Sequence, residues 1–147
     1  VSSPPRWVEH YLAIPFVDRG RTERGVDCFG LVRLVMARQA EITLHNYGFV
    51  DVRDRGSIGS EIAAAKADRS LWTPVSIGGA RPLDVVPMVD DVGVDDGHVG
   101  IMVTHRHVLH TEFASGPVCL DISHPSVVHR FQPQHAPLVY RHRDLCT

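Results

Sequence analysis

The order of periodicities along these 147 residues predicts an α+β fold: helices first, then a sheet of short antiparallel strands. Three observations carry that expectation. Apolar residues at helical spacing run from Cys28 to about Ala40, β-branched runs recur after Leu83, and Gly, Pro and Asp clusters separate those runs. Helices that precede strands, instead of alternating with them, argue against a parallel sheet.

Residues 6–14 read as a short helix after Pro5, with Trp7, Tyr11 and Ile14 on one side. Pro15 to Gly20 ends it and opens an irregular, arginine-rich loop through Arg21 and Arg24. The Cys28 helix follows. Residues 41–56 read as loop. Ser57 can cap a helix over Ile58 to Asp68, where three consecutive alanines favour helix. Trp72 to Pro82 reads as turn-rich. Strands are expected at Leu83–Val89, His98–Val103, Val108–Phe113, Val118–Ile122 and Leu138–Arg141, with an acidic turn from Asp90 to Gly97.

The length fits one domain spanning 1–147, with room for a core that needs no staples. A formal net charge of −2 gives no nucleic-acid or membrane-surface signature, and no apolar run reaches the roughly 18 residues of a membrane helix. Lys66 is the only lysine, so arginine carries nearly all the positive charge. Cys28, Cys119 and Cys146 follow no C-x-x-C spacing, so neither a disulfide framework nor a zinc knuckle is indicated. Cys119 and Cys146 are expected to be bystanders. The opening residues Val1 to Pro5 do not read as a secretory signal.

Gly25-Val26-Asp27-Cys28-Phe29-Gly30-Leu31-Val32 is the stretch the rest of the chain is read as serving. Cys28, Leu31, Val32, Val35 and Gln39 form one helical stripe, which puts the thiol in the first turn. Asp27 is the N-cap candidate. The helix macrodipole there favours thiolate over thiol, although a small buried cysteine in an ordinary core helix has the same pattern.

Among ten histidines, His98 opens one strand and His110 lies twelve residues later on the next. A hairpin centred on Thr104 would set them directly opposite each other, with Cβ atoms about 4.5–5.5 Å apart. That requires an odd loop, because a two-residue turn would send them to opposite faces. Thiol catalysis needs a sulfur, a base and a group that fixes the base's tautomer, and Cys28, His98 and His110 supply those types. The same three could ligate zinc, and Asp90, Asp91, Asp95 and Asp96 could face calcium, but neither reading has the expected spacing or a better claim.

The Cys28 stretch resembles the cysteine box of the NlpC-type cell-wall peptidases, papain-like enzymes of bacteria and phages. Gly97-His98-Val99-Gly100-Ile101-Met102-Val103 is similar to their histidine strand, and Val108-Leu109-His110-Thr111 to the segment with their third catalytic residue. Ile14 to Gly20 and Arg81 to Val86 correspond in spacing. The likeness runs from about Trp7 to Tyr140 and is closest to the short phage-encoded branch, which favours an aromatic after the cysteine.

The resemblance implies a papain-like fold, with the nucleophile at a helix N-terminus packed on an antiparallel sheet. It implies a cysteine endopeptidase without metal or other cofactor: Cys28 attacks, His98 is base and then acid, and His110 orients His98. The implied substrate is the γ-D-glutamyl–diamino-acid bond of peptidoglycan stem peptides. Phe16, Asp18, Arg19, Arg21, Asp27 and Phe29 make the expected substrate or oxyanion neighbourhood. The oxyanion donors would be the Cys28 N–H and a group from the Pro15–Gly20 loop. Arg19, Arg21 and Arg24 are candidates for stem-peptide carboxylates.

Phe16 stands where many members have tyrosine, Phe29 where they have serine, and Arg19 and Leu83 where they have glycine, which predicts altered loops and an altered pocket. The sequence shows no wall-binding module, so the expected partners are phage-tail or tail-tip (baseplate or hub) proteins. The expected location is a virion or tail-like particle, with no nucleic acid bound and no membrane insertion. The alternatives are a tail-tip structural protein that keeps the fold, and an amidase or acyltransferase on a non-wall substrate.

Overall fold

The computed structural model describes residues 3–45, 62–89, 97–113, 115–131 and 137–145. Helix α1 (Val8–Leu12) is followed by a two-stranded hairpin, β1 (Arg21–Thr22) and β2 (Gly25–Val26), and by helix α2 (Cys28–Ala40). Residues 62–67 are helical (α3). Then come β3 (Trp72–Ser76), a 3₁₀ turn at Ile77–Gly79, β4 (Val85–Met88), β5 (His98–Met102), β6 (His107–Glu112), β7 (Gly116–Asp121), α4 (Pro125–Val128) and β8 (Leu138–His142). The large strands form one antiparallel sheet in the order β3-β8-β4-β5-β6-β7.

The Cys28 helix has the predicted span. Asp27 caps it: its Oδ1 accepts the Gly30 N–H at 2.7 Å. Glu41 ends it in the left-handed region at φ 56°, with the Ile42 N–H closing back on the Met36 carbonyl at 3.2 Å. Cys28, Leu31, Val32 and Val35 are buried as expected, but so are Leu34 and Met36. The helix is therefore apolar on more than one stripe, because α1 and the preceding loop cover what the sheet does not.

Two clusters fill the two faces of the sheet. One gathers α1 and α2 against Val85, Val99, Ile101 and Leu109; the other gathers Val86, Met88, Met102, Val108 and Val127. The alternation of the pleat assigns His98 and His110 to the second face, together with Met102 and Val108. Helix α2 packs across β5 and β6 on the first face.

Several expectations need correction. The turn-rich reading of Trp72 to Pro82 holds only from Ile77 onward, since Trp72–Ser76 is a strand paired with β8. Pro74 fits there because β3 is an edge strand, where proline is tolerated. The arginine-rich loop contains the β1–β2 hairpin, whose strands are too short for a periodic signal. The first helix is shorter than residues 6–14, and α4 was not foreseen. The start of the Ser57 helix, most of the 41–56 loop, the Asp90–Asp96 cluster and Cys146 lie outside the described residues.

Arg19 and Leu83, which stand where the family the sequence resembles has glycine, have φ of 60° and 73°. Both side chains therefore sit in the left-handed backbone region that favours glycine. Leu83 is held there by donating its N–H to the Met102 carbonyl at 2.7 Å, while the Met102 N–H donates to the Asp84 carbonyl at 2.8 Å. Buried Asp84 accepts two bonds from Arg141, at 2.9 and 2.7 Å, and one from the Arg81 N–H at 2.8 Å.

Candidate active site

The β5–β6 turn is closed by the Val103 N–H on the His107 carbonyl, and its register pairs Ile101 with Leu109 and Met102 with Val108. The loop is thus the odd one, Thr104-His105-Arg106, and Thr104 Oγ1 accepts the backbone N–H groups of Arg106 and His107 at 3.0 Å each. The hairpin centres on His105, one residue beyond the predicted centre. Continuing the ladder puts His110 opposite Gly100 and His98 opposite Glu112. The histidines are therefore diagonal neighbours on one face and not a directly opposed pair. The shift of two residues preserves the face, which a shift of one would not.

They still meet. His98 Nε2 and His110 Nδ1 are 2.8 Å apart, with the rings nearly perpendicular at 82°. Diagonal positions are normally about 7–8 Å apart at the backbone, so the side chains must lean toward each other. Gly100 leaves that space: a Cβ there would lie 3.1 Å from the His110 Cβ and 2.8 Å from Val108 Cγ2.

Burial, with a smaller contribution from the nearby Arg130 charge, pushes the His110 imidazole down to about 4. It is neutral at pH 7. When His98 is protonated, only one direction of the shared bond is possible: His98 Nε2–H donates and His110 Nδ1 accepts. The remaining His110 proton then sits on Nε2, which has no hydrogen-bond partner among the described residues.

Glu112 was passed over in the sequence, where it read simply as strand. It lies 3.9 Å from His98 Nε2 through Oε1, and the same oxygen accepts a hydrogen bond from Arg130 Nη2. Its signal was available: Glu112 is two residues past His110, so any register that puts both histidines on one face puts Glu112 there too. Arg130 offered no such signal. It is buried after α4 and is tied to the strand next to β5, through Nη1 to the Val89 carbonyl at 3.3 Å and from the Val89 N–H to its own carbonyl at 2.7 Å.

Cys28 is the first residue of α2 and is buried. Phe16 packs at the approach to that helix. It is bridged to Val26, two residues before the thiol, and its ring lies 5.8 Å from that of Phe113, one residue past Glu112. Phe16 thus joins the segment that enters α2 to Phe113, just past the end of β6.

Asp27 is more fully engaged than a cap requires. Besides Gly30, it takes Arg21 Nη1 at 2.7 Å on Oδ1 and the Arg19 N–H at 3.1 Å on Oδ2. Arg21 also donates to the Gly20 carbonyl at 2.8 Å, and its guanidinium stands 5.7 Å from the centre of the Phe29 ring. Arg21 is thus a clamp on the cap, not a free receptor for substrate carboxylates. Phe29 packs into the core on the α2 side and lines an apolar cleft with Val32, Trp72, Val85 and Tyr140. Asp18 is half-buried and Arg24 is exposed. Cys119 is half-buried, and burial pushes its thiol up to about 11, so it stays protonated at neutral pH.

His98, His110 and Glu112 have donor atoms within 4.8 Å of one another, the described group closest to a metal-ligand set. Two of those donors already bond each other and the third takes Arg130, so a cation would have to displace both interactions. The zinc trio considered from sequence had Cys28 in place of Glu112.

No protein-family model matches this chain, and no curated protein matches it. Solved structures do match: the NlpC/p60 domain of the peptidoglycan hydrolase SagA aligns over 88% of this chain and 87% of its own, with a TM-score of 0.54 at 18% identity. The chain has the NlpC/p60 fold. In NlpC/p60 terms, the predicted papain-like arrangement of a few helices on a large antiparallel sheet is what the chain adopts. At this identity the likeness speaks for the fold alone, so the chemistry rests on the residues.

Proposed function

We propose that the protein is a cysteine peptidase that hydrolyses amide bonds of peptidoglycan stem peptides through a thioester. The observation that carries this reading is the 2.8 Å contact between the two sequence-predicted histidines, His98 and His110. The NlpC/p60 neighbour, itself a peptidoglycan hydrolase, supports the substrate class.

In this reading the Cys28 thiol gives its proton to His98. His98 Nε2–H is engaged with His110, which leaves Nδ1 to take the thiol proton. The thiolate attacks the amide carbonyl and forms a tetrahedral intermediate. The Cys28 N–H and a donor from the Pro15–Gly20 loop meet the oxyanion. His98 returns the proton to the departing amine, leaving a thioester, and water activated by His98 then releases the acid and the free thiol.

The scissile bond is γ-D-glutamyl–diamino acid, and the setting is a phage tail or tail-like particle that opens the wall locally. Incubation of the protein with purified peptidoglycan, beside Cys28→Ala, tests this, with mass spectrometry of the soluble products. New amino termini on the diamino acid, present only with Cys28, are the expected result. Identical, peptide-free supernatants would leave a tail-tip scaffold as the better reading.

A further inference from the structure

We infer that Glu112, clamped by Arg130, is a positioning residue that sets how firmly the His98–His110 pair holds its proton. The inference rests on the proposed thiol chemistry and adds a group that the three-residue scheme does not contain. Extending the β5–β6 register sets Glu112 opposite His98, and its carboxylate stands 3.9 Å from His98 Nε2. That nitrogen is already bonded to His110, so Glu112 acts through its charge and not through a hydrogen bond.

Without Glu112, the cationic group closest to the pair would be the buried Arg130, which already bears on His110. An imidazolium at His98 would then face a like charge. With Glu112 in place, the arginine charge is answered before it reaches the histidines. Arg130 in turn fixes the carboxylate, because the Val89 backbone holds Arg130 beside β4, and β4 pairs Met88 with His98.

Among the described residues, the titratable and charged groups gathered at the pair are thus His110 and Glu112 from β6 and Arg130 from the segment after α4. From β4, Met88 pairs with His98. Asp27 is occupied by Arg21.

The test reads the ion pair without substrate. Alkylation of Cys28 by iodoacetate, an anion, is followed against pH by mass spectrometry of the Cys28 peptide. Its rate rises as the thiolate forms and falls as the neighbouring imidazolium loses its proton. Glu112→Gln keeps the shape and an acceptor for Arg130, and should lower the alkaline limb by about one pH unit. Arg130→Gln should raise it. Glu112→Asp, which keeps the charge, should stay near the wild-type limb, and circular dichroism reports whether each variant folds.

Limbs that move together in Glu112→Gln and Arg130→Gln, or a Glu112→Gln limb at the wild-type position, would overturn the inference alone. A wild-type profile with no alkaline fall would overturn the Cys28–His98 ion pair, and this inference with it.

Discussion

Gly100 stands opposite His110 across the β5–β6 ladder, and the hydrogen bond between the histidines depends on what that glycine lacks. A methyl there would sit 3.1 Å from the His110 Cβ, far inside the usual spacing of opposed pairs, which is about 4.5–5.5 Å. Gly100→Ala should therefore cost about 1–3 kcal/mol in denaturant unfolding and push the His110 ring away from His98. Cys28 alkylation at neutral pH should fall roughly tenfold with it. A variant of unchanged reactivity would show that the pair has another route together.

Arg21 neutralises the carboxylate that caps the Cys28 helix. An unanswered Asp27 charge beside Cys28 would oppose the thiolate that the helix terminus favours. Arg21→Ala should lower the thiolate absorbance at pH 7 and slow alkylation roughly three- to tenfold. Arg21→Lys should recover part of the loss, since it restores charge without the planar contact.

His110 makes stability depend on pH. Its folded-state imidazole titrates near 4, well below the ordinary 6.5, so the fold favours the neutral form. That contribution is complete above the ordinary value and is lost as pH falls from 6.5 toward 4. Over that window the loss is on the order of 3 kcal/mol. His110→Gln should flatten the slope of unfolding free energy against pH there. The difference between variant and wild type is the relevant quantity, because burial also lowers His142.

Asp84 and Arg141 form a buried pair that ties β8 to the turn before β4. Removing one partner strands the other in low dielectric. Asp84→Ala should cost about 3–5 kcal/mol in denaturant unfolding, and the double change with Arg141→Met should recover much of it. An additive double mutant would mean that the two residues act independently.

The alkylation map should single out Cys28 over Cys119, whose thiol is held near 11 by burial. At pH 7, Cys119 should stay unmodified over times that exhaust Cys28.

The chain by itself determined whatever closes within a few residues. The span of α2, its Asp27 cap and the thiol in its first turn all follow from contacts one helical turn long. The parity that puts His98 and His110 on one face also follows from the sequence, given an odd loop, because strand side chains alternate with a period of two. Only the tertiary structure decided the rest. The two-residue offset depended on where the Thr104 turn closed, and carried along the strands it sets Glu112, not His110, opposite His98. Arg130 on Glu112, Arg141 on Asp84 and β3 beside β8 join residues 18, 57 and more than 60 positions apart. Such contacts carry no local periodicity, since loop closure and burial select them only once the sheet has formed.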